Sequence, residues 1–129
     1  MPTKILLIDD EEAICRFTKR NLERTGRYEV TVAYSGEEGL AKAREAAFDL
    51  VITDFRMPGI DGKAVLDTLK ASDANAPVVI FSIYHDDEST LTQQIRQKAD
   101  GVISKPIDHA QLYETIEQAL KRSSGPRAG

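Results

Sequence analysis

Short apolar runs rich in valine and isoleucine recur along the chain and alternate with segments of helical spacing. The runs are KILLID at 4–9, YEVTVAY at 28–34, DLVIT at 49–53, PVVIFS at 77–82 and GVIS at 101–104. Each has the length and composition of a β-strand. Because neighbouring parallel strands need a crossover, normally a right-handed helix, the alternation predicts a parallel sheet with helices on both faces. The expected fold class is therefore α/β, a five-stranded, doubly wound (βα)5 sheet.

The segments between the runs carry the spacing of amphipathic helices. The spacing residues are Ile14 and Phe17; Leu40, Ala43 and Ala47; Leu66 and Leu69; and Leu112, Ile116 and Leu120. Residues that commonly cap the start of a helix precede three of these segments. They are Ser35 with Glu38, Asp61, and Asp108 with Gln111. A fourth helix at 87–97 is the least apolar. The three middle runs lack polar alternation, which predicts strands covered on both faces.

Composition and charge exclude several classes of protein. The 129 residues suit one domain, which we place at 1–122, with 123–129 as a flexible tail or the start of a linker. A net charge of -4 offers no clustered basic surface for nucleic acid, and no apolar run is long enough to cross a bilayer. The single Cys15 can form no internal disulfide and is expected to be a small buried side chain. With no signal-peptide pattern after Met1, the chain is predicted to be cytoplasmic.

Polar side chains stand at the ends of the predicted strands. Asp9 and Asp10 follow the first strand, Asp54 the third, Ser82 the fourth and Lys105 the fifth. Ligands of open parallel sheets bind beyond these carboxyl ends. Clustered carboxylates require a counter-charge, and Mg2+ binds carboxylates, a carbonyl, waters and phosphate oxygens. The sequence therefore predicts a Mg2+ site, with Asp10 and Asp54 as direct ligands and Asp9 acting through a water.

This site would suit phosphoryl transfer. Asp54 would attack a phosphoryl group and form an aspartyl-phosphate. Mg2+ and Lys105 would stabilise the transferring oxygens, and Ser82 would donate a hydrogen bond to the product. Taken singly, the acids can instead start a helix or cap a turn. Their shared position at one edge of the sheet favours the site.

The same residues resemble a known family. LIDDEE, DLVITDFRMPGIDG, VIFS and SKP occur in that order over residues 4–122, and the combination resembles the receiver domain of two-component response regulators. The resemblance implies a flavodoxin-like fold, phosphorylation of Asp54, and a metal held by Asp10, Asp54 and the carbonyl of Arg56, with Asp9 linked through a water. It also implies a cis peptide at Lys105–Pro106, which aims the phosphate-contacting lysine.

The resemblance further implies a signalling switch that catalyses only its own phosphorylation and dephosphorylation. The implied phosphodonor is a sensor histidine kinase or phosphotransfer protein. Phosphorylation would be read out on the face formed by the 87–97 helix, the fifth strand and the last helix, and would control an output domain or partner protein. The domain itself would contact neither nucleic acid nor membrane. The sequence leaves open a phosphorylation-dependent homodimer, and whether the chain acts alone or is a fragment.

Two positions depart from the family pattern. Val102 stands where the family usually has Tyr or Phe, so an aromatic rotamer switch is excluded. Ile83, followed by Tyr84, stands after Ser82 where a small residue is usual, and would restrict access to Asp54. The strength and speed of the switch are therefore left open.

Three other functions compete with this interpretation. A metal-dependent phosphatase would normally show D-x-D after its first strand, whereas this chain has Asp9–Asp10. A flavin- or nucleotide-binding domain would need a phosphate-binding loop, and neither G-x-x-x-x-G-K-[ST] nor G-x-G-x-x-G follows any predicted strand. A phosphorylation-independent interaction module is disfavoured by the intact acids, although Val102 and Ile83 leave room for it.

Overall fold

The computed structural model describes residues 2–83 and 93–124, and within those ranges five strands alternate with five helices. The strands are β1 (Thr3–Ile8), β2 (Tyr28–Ala33), β3 (Leu50–Asp54), β4 (Val78–Ile83) and β5 (Gly101–Lys105). The helices are α1 (Glu12–Arg24), α2 (Gly36–Glu45), α3 (Gly62–Ser72), α4 (Gln93–Lys98) and α5 (His109–Ser124). The predicted α/β class is confirmed. The first part of the helix predicted at 87–97 lies outside the described residues, and α5 runs two residues into the predicted tail.

All strand pairs are parallel, and the sheet order is β2-β1-β3-β4-β5. The order changes direction between β1 and β3, which places a topological switch point at their carboxyl ends. The prediction that the second run is covered on both faces is wrong. β2 is an edge strand with Glu29 exposed, whereas β1 lies inside the sheet and buries Ile5 to Ile8 completely.

Successive side chains of each strand point to opposite faces of the sheet, and an apolar layer lies on each face. On one side, Ile5 and Leu7 belong to a core cluster that also contains residues of α1 and α5, among them Cys15, Leu112 and Ile116. On the other side, buried residues of β1, α2 and α3 cluster together, and a third cluster joins α3 to α4; its members include Leu66, Val78, Ile80 and Ile95. Both faces of the sheet are thus covered by helices, as doubly wound sheets require.

The predicted helix starts are built as the sequence indicates. Ser35 Oγ accepts from the N–H of Glu38 at 3.0 Å, and the Glu38 carboxylate accepts from the backbone N–H just before the cap. Asp61 Oδ1 accepts from the N–H of Ala64 at 2.9 Å. Asp108 accepts from the two backbone N–H groups at positions 110 and 111. These bonds satisfy N–H groups that the first helical turn leaves unpaired.

Helix α1 packs through a narrower face than its apolar residues suggest. Cys15, Thr18 and Leu22 are buried, and Cys15 is confirmed as a small buried side chain. Phe17, whose spacing helped to predict the helix, is 48% exposed and stacks on His109 with ring centroids 5.1 Å apart. Among the described helices, none combines the length and apolarity needed to cross a membrane.

Candidate functional site

The register of the sheet brings the strand ends to one edge. Ile8 of β1 pairs with Thr53 of β3, and Asp54 pairs with Phe81 of β4. Ile83, the last residue of β4, pairs with Lys105. Because the strands are parallel and nearly flush, the residues that end or follow them lie side by side, as the sequence predicted.

Asp9, Asp54 and Lys105 meet at this edge. Lys105 Nζ lies 2.9 Å from Asp9 Oδ2 and 3.3 Å from Asp54 Oδ1. Asp9 is fully buried and Asp54 is 5% exposed. The Lys105 side chain is also almost wholly covered, at 8% exposed. Two carboxylates and an ammonium, which end or follow three neighbouring strands, therefore lie together with little access to solvent.

Burial dominates the protonation behaviour of the two acids. Burial and the charge of Asp9 raise the pKa of Asp54 from 3.8 to about 7, although Lys105 opposes the shift. Burial likewise raises the pKa of Asp9, against the hydrogen bond from the N–H of Glu11 and the ion pair with Lys105. Burial alone would lower the pKa of Lys105, but its ion pair with Asp9 and the charge of Asp54 raise it. The ammonium thus stays charged but does not fully compensate the acids.

The acids fit a divalent cation. Asp9, Glu11 and Asp54 each present a carboxylate oxygen within 4.8 Å of the others. Asp9 Oδ2 is buried and receives no well-aligned hydrogen bond from any described residue, even though the Lys105 ammonium is near. The one ammonium is shared by three acids, which leaves negative charge that a divalent cation could neutralise. Hard oxygen ligands of this kind suit Mg2+.

Only some of the predicted metal ligands lie within the cluster of carboxylates. Asp9, predicted to act through a water, lies inside the cluster, whereas Asp10 is exposed and outside the group of oxygens within 4.8 Å. The charge of Asp10 nevertheless contributes to the raised pKa of Asp54, so it acts on the same site. Arg56 is exposed on the loop after β3. The ligand roles of these residues stay predictions.

Ser82 is 2% exposed near the end of β4, where it pairs with Ser104 of β5. The Lys105–Pro106 peptide is cis, as the resemblance implied. Val102 is partly buried against the α3–α4 cluster, and Ile83 is 40% exposed. Tyr84, predicted to restrict access together with Ile83, lies outside the described residues.

Three residues lie at this site that the sequence did not place there. Glu11 is one of them, because its Oε1 lies 3.2 Å from Lys105 Nζ. The Cys15 thiol donates to the carbonyl of Asp9 at 3.3 Å, and burial with the charge of Asp9 raises its pKa to about 12. The signal for Glu11 was present, because glutamate is a poor N-cap and yet stands where α1 begins.

Gly62 is the third. Its N–H donates to the carbonyl of Phe55 at 2.9 Å, which closes the loop after β3. A Cβ at this position would lie 2.4 Å from the carbonyl oxygen of Asp54 and 2.7 Å from Cα of Phe55. Only a residue without a side chain lets the loop return so close to the Asp54 backbone.

Comparison with known proteins gives a consistent result. The family model of the response regulator receiver domain matches residues 5–117. The transcriptional regulatory protein ZraR of Salmonella typhimurium is 38% identical over 116 residues, which are 90% of this chain and 26% of ZraR. The alkaline phosphatase synthesis transcriptional regulatory protein PhoP of Bacillus subtilis is 33% identical, over 95% of this chain and 50% of PhoP. The chain therefore spans between a quarter and half of these relatives.

Solved structures agree with the sequence relatives. A response regulator receiver domain protein of Clostridium thermocellum superposes with a TM-score of 0.86 at 33% identity, covering 95% of this chain and 97% of that one. The response regulator protein TrrA of Thermotoga maritima, solved in complex with Mg2+ and BeF, has a TM-score of 0.81 at 31% identity, covering 91% and 98%.

Proposed function

The chain belongs to the family of response regulator receiver domains, and on this premise we propose that Asp54 is the residue at which it accepts a phosphoryl group. The observation that carries the proposal is the placement of Asp54, a 5%-exposed carboxylate at the end of β3 with the Lys105 ammonium 3.3 Å away. A nucleophile held on the end of a buried strand is rigid, and its cation is positioned before the reaction.

In the proposed step, an ionised Asp54 oxygen attacks the phosphorus of a phosphohistidine on a sensor kinase or phosphotransfer protein. The new O–P bond forms as the P–N bond breaks, and the electron pair stays on the imidazole nitrogen, which takes up a proton. Lys105 offsets charge on the phosphoryl oxygens, and Ser82 donates a hydrogen bond to the product. Hydrolysis by water, with release of inorganic phosphate, would return Asp54 to its carboxylate.

Mg2+ would be held by Asp10, Asp54 and the carbonyl of Arg56, with Asp9 linked through a water. Bound there, it would neutralise the acids and stabilise charge on the phosphoryl oxygens. The site fits this role because three carboxylates, those of Asp9, Glu11 and Asp54, gather around the single Lys105 ammonium and leave negative charge for a cation to neutralise.

The output would run through the face of α4, β5 and α5, because β5 carries Lys105 at one end and packs against α5. Phosphorylation adds nearly two negative charges and would bias a two-state arrangement there. Val102 provides no aromatic ring for that change. The partner would be an output domain or a separate protein that responds to this face.

The test is an intact-mass spectrum after incubation with Mg2+ and acetyl phosphate. The parent should gain one phosphoryl group, and Asp54→Ala should gain none while keeping its fold by circular dichroism. Asp49→Ala removes an exposed aspartate just before the same strand and should gain one like the parent. A parent that binds Mg2+ but gains no mass would refute the proposal and favour an interaction module. Steady release of phosphate from a phosphoester would favour a phosphatase.

A further inference from the structure

Glu11 stands at the N-cap position of α1 but does not cap the helix. Its backbone is extended, with φ -91° and ψ 105°, and its side chain accepts no cap hydrogen bond. A side chain at this position normally accepts from the N–H groups of the first turn. Glu11 instead directs its carboxylate across the site to Lys105, a residue 94 positions away in the chain, with Oε1 3.2 Å from Nζ.

Lys105 is thereby shared among three carboxylates. Its Nζ lies 2.9 Å from Asp9 Oδ2, 3.2 Å from Glu11 Oε1 and 3.3 Å from Asp54 Oδ1. Asp9 is fully buried, while the Glu11 side chain is 56% exposed and is the outermost of the three acids. Two of the three contacts come from residues just before α1, so Asp9 and Glu11 compete with Asp54 for the same ammonium.

We propose that Glu11 is a positioning residue that restrains Lys105 in the unphosphorylated state and so slows phosphorylation of Asp54. The inference rests on the proposed function, since it assigns a regulator to the same site. An ammonium has three N–H donors and three acids already surround it, so a phosphoryl group on Asp54 would compete with Glu11 for those donors. The Glu11 charge would also oppose the arriving phosphoryl oxygens.

The contact itself can be tested without phosphodonor or metal. Lys105→Met is introduced into three backgrounds: the parent, Glu11→Gln and Glu12→Gln. The urea midpoint of each protein is measured in EDTA with and without Lys105→Met. Glu12 is the exposed neighbour of Glu11, so its substitution removes the same charge from the same helix turn. The shift in urea midpoint caused by Lys105→Met should change in Glu11→Gln and stay the same in Glu12→Gln. Equal shifts in all three backgrounds would overturn the proposal.

The functional arm follows phosphorylation by acetyl phosphate at fixed Mg2+. An ion pair with one exposed partner contributes little free energy, so its restraint on Lys105 is modest. Glu11→Gln should therefore speed phosphorylation by about two- to five-fold over both the parent and Glu12→Gln. In the Lys105→Met background this gain should disappear, because the restrained group is gone. Phosphorylation by Glu11→Gln no faster than by Glu12→Gln would overturn the proposal.

The Mg2+ dissociation constant, measured by calorimetry, separates a positioning role from a ligand role. It should change no more in Glu11→Gln than in Glu12→Gln, whereas a tenfold weakening specific to Glu11→Gln would make Glu11 a metal ligand and overturn the proposal. A parent that gains no phosphoryl group would refute the proposed function, and the unfolding comparison would still decide the Glu11–Lys105 contact.

Discussion

Replacing Asp54 by asparagine should stabilise the protein when no divalent cation is present. Folding raises the pKa of Asp54 from 3.8 to about 7, chiefly through burial and the charge of Asp9. A shift of that size costs on the order of 4 kcal/mol of folding free energy at pH 8, where the carboxylate is ionised in both states. The asparagine amide recovers this cost but buries a donor, at about 1–3 kcal/mol if it finds no partner. The expected net gain is about 2 kcal/mol.

The gain should depend on pH with a defined sign. Between pH 4 and pH 7 the folded protein holds a proton on Asp54 that the unfolded chain has released, so the stability of the parent falls as pH rises. At pH 5 the folded carboxyl is still protonated. The folding free energy lost by burying it is then less than half of the loss at pH 8. Asp54→Asn lacks this group, and its advantage over the parent should therefore grow from pH 5 to pH 8.

The assay is urea unfolding of both proteins in EDTA at pH 5 and pH 8, followed by circular dichroism. Asp49→Asn, an exposed aspartate just before β3, should keep the pH dependence of the parent. Saturating Mg2+ should stabilise the parent and narrow the gap, because the ion binds the folded parent more tightly than the variant. An Asp54→Asn protein that is less stable than the parent at pH 8 in EDTA would refute the reasoning.

Three further changes test other parts of the structure. Asp10→Asn should not lower stability in EDTA, because its charge helps to raise the pKa of Asp54, but it should remove most of the stabilisation by Mg2+, measured as a shift in melting temperature; retained stabilisation would argue against Asp10 as a ligand. Gly62→Ala should destabilise by at least about 2 kcal/mol in urea unfolding and slow phosphorylation, because its Cβ would lie 2.4 Å from the Asp54 carbonyl oxygen; a neutral result would show that the loop relaxes freely. Lys70→Met should cost up to about 3 kcal/mol, because the Asp100 side chain, 9% exposed, then keeps only the Val78 N–H and a 3.7 Å contact with Arg122. Lys63→Met, which breaks an exposed pair, should cost under about 1 kcal/mol.

The fold was predictable because its signals are local. Apolar runs and capping residues such as Ser35 and Asp61 act within a few positions of the chain. The structure places the strands, and the helices that begin at those capping residues, within about two residues of the expected points. The exposed face of β2 was not predictable from its run. Strand order depends on which strands pair across the sheet, and that pairing leaves β2 at an edge.

Part of the site followed from topology. Parallel strands bring their carboxyl ends together, so Asp9, Asp54 and Lys105 could be placed side by side before any distance was known. The orientation of Glu11 could not, since its contact with Lys105 spans 94 positions and the neighbouring acids suggest a helix start. The requirement for glycine at Gly62 likewise depends on how closely the loop returns to Asp54, which is a tertiary property.

The buried acids at the two edges of the sheet differ in how completely they are paired with donors and cations. Near the amino ends of β4 and β5, Asp100 Oδ2 accepts from Lys70 Nζ at 2.7 Å and from the Val78 N–H at 2.9 Å, and the Lys70 ammonium also donates to a backbone carbonyl. That pair is satisfied by its own partners. At the carboxyl edge, three acids share the Lys105 ammonium, and Asp9 Oδ2 has no well-aligned donor among the described residues. A fold selected for stability alone would complete the second set as it completes the first. The carboxyl edge therefore carries more negative charge than its own ammonium balances, and the proposed Mg2+ would neutralise that excess.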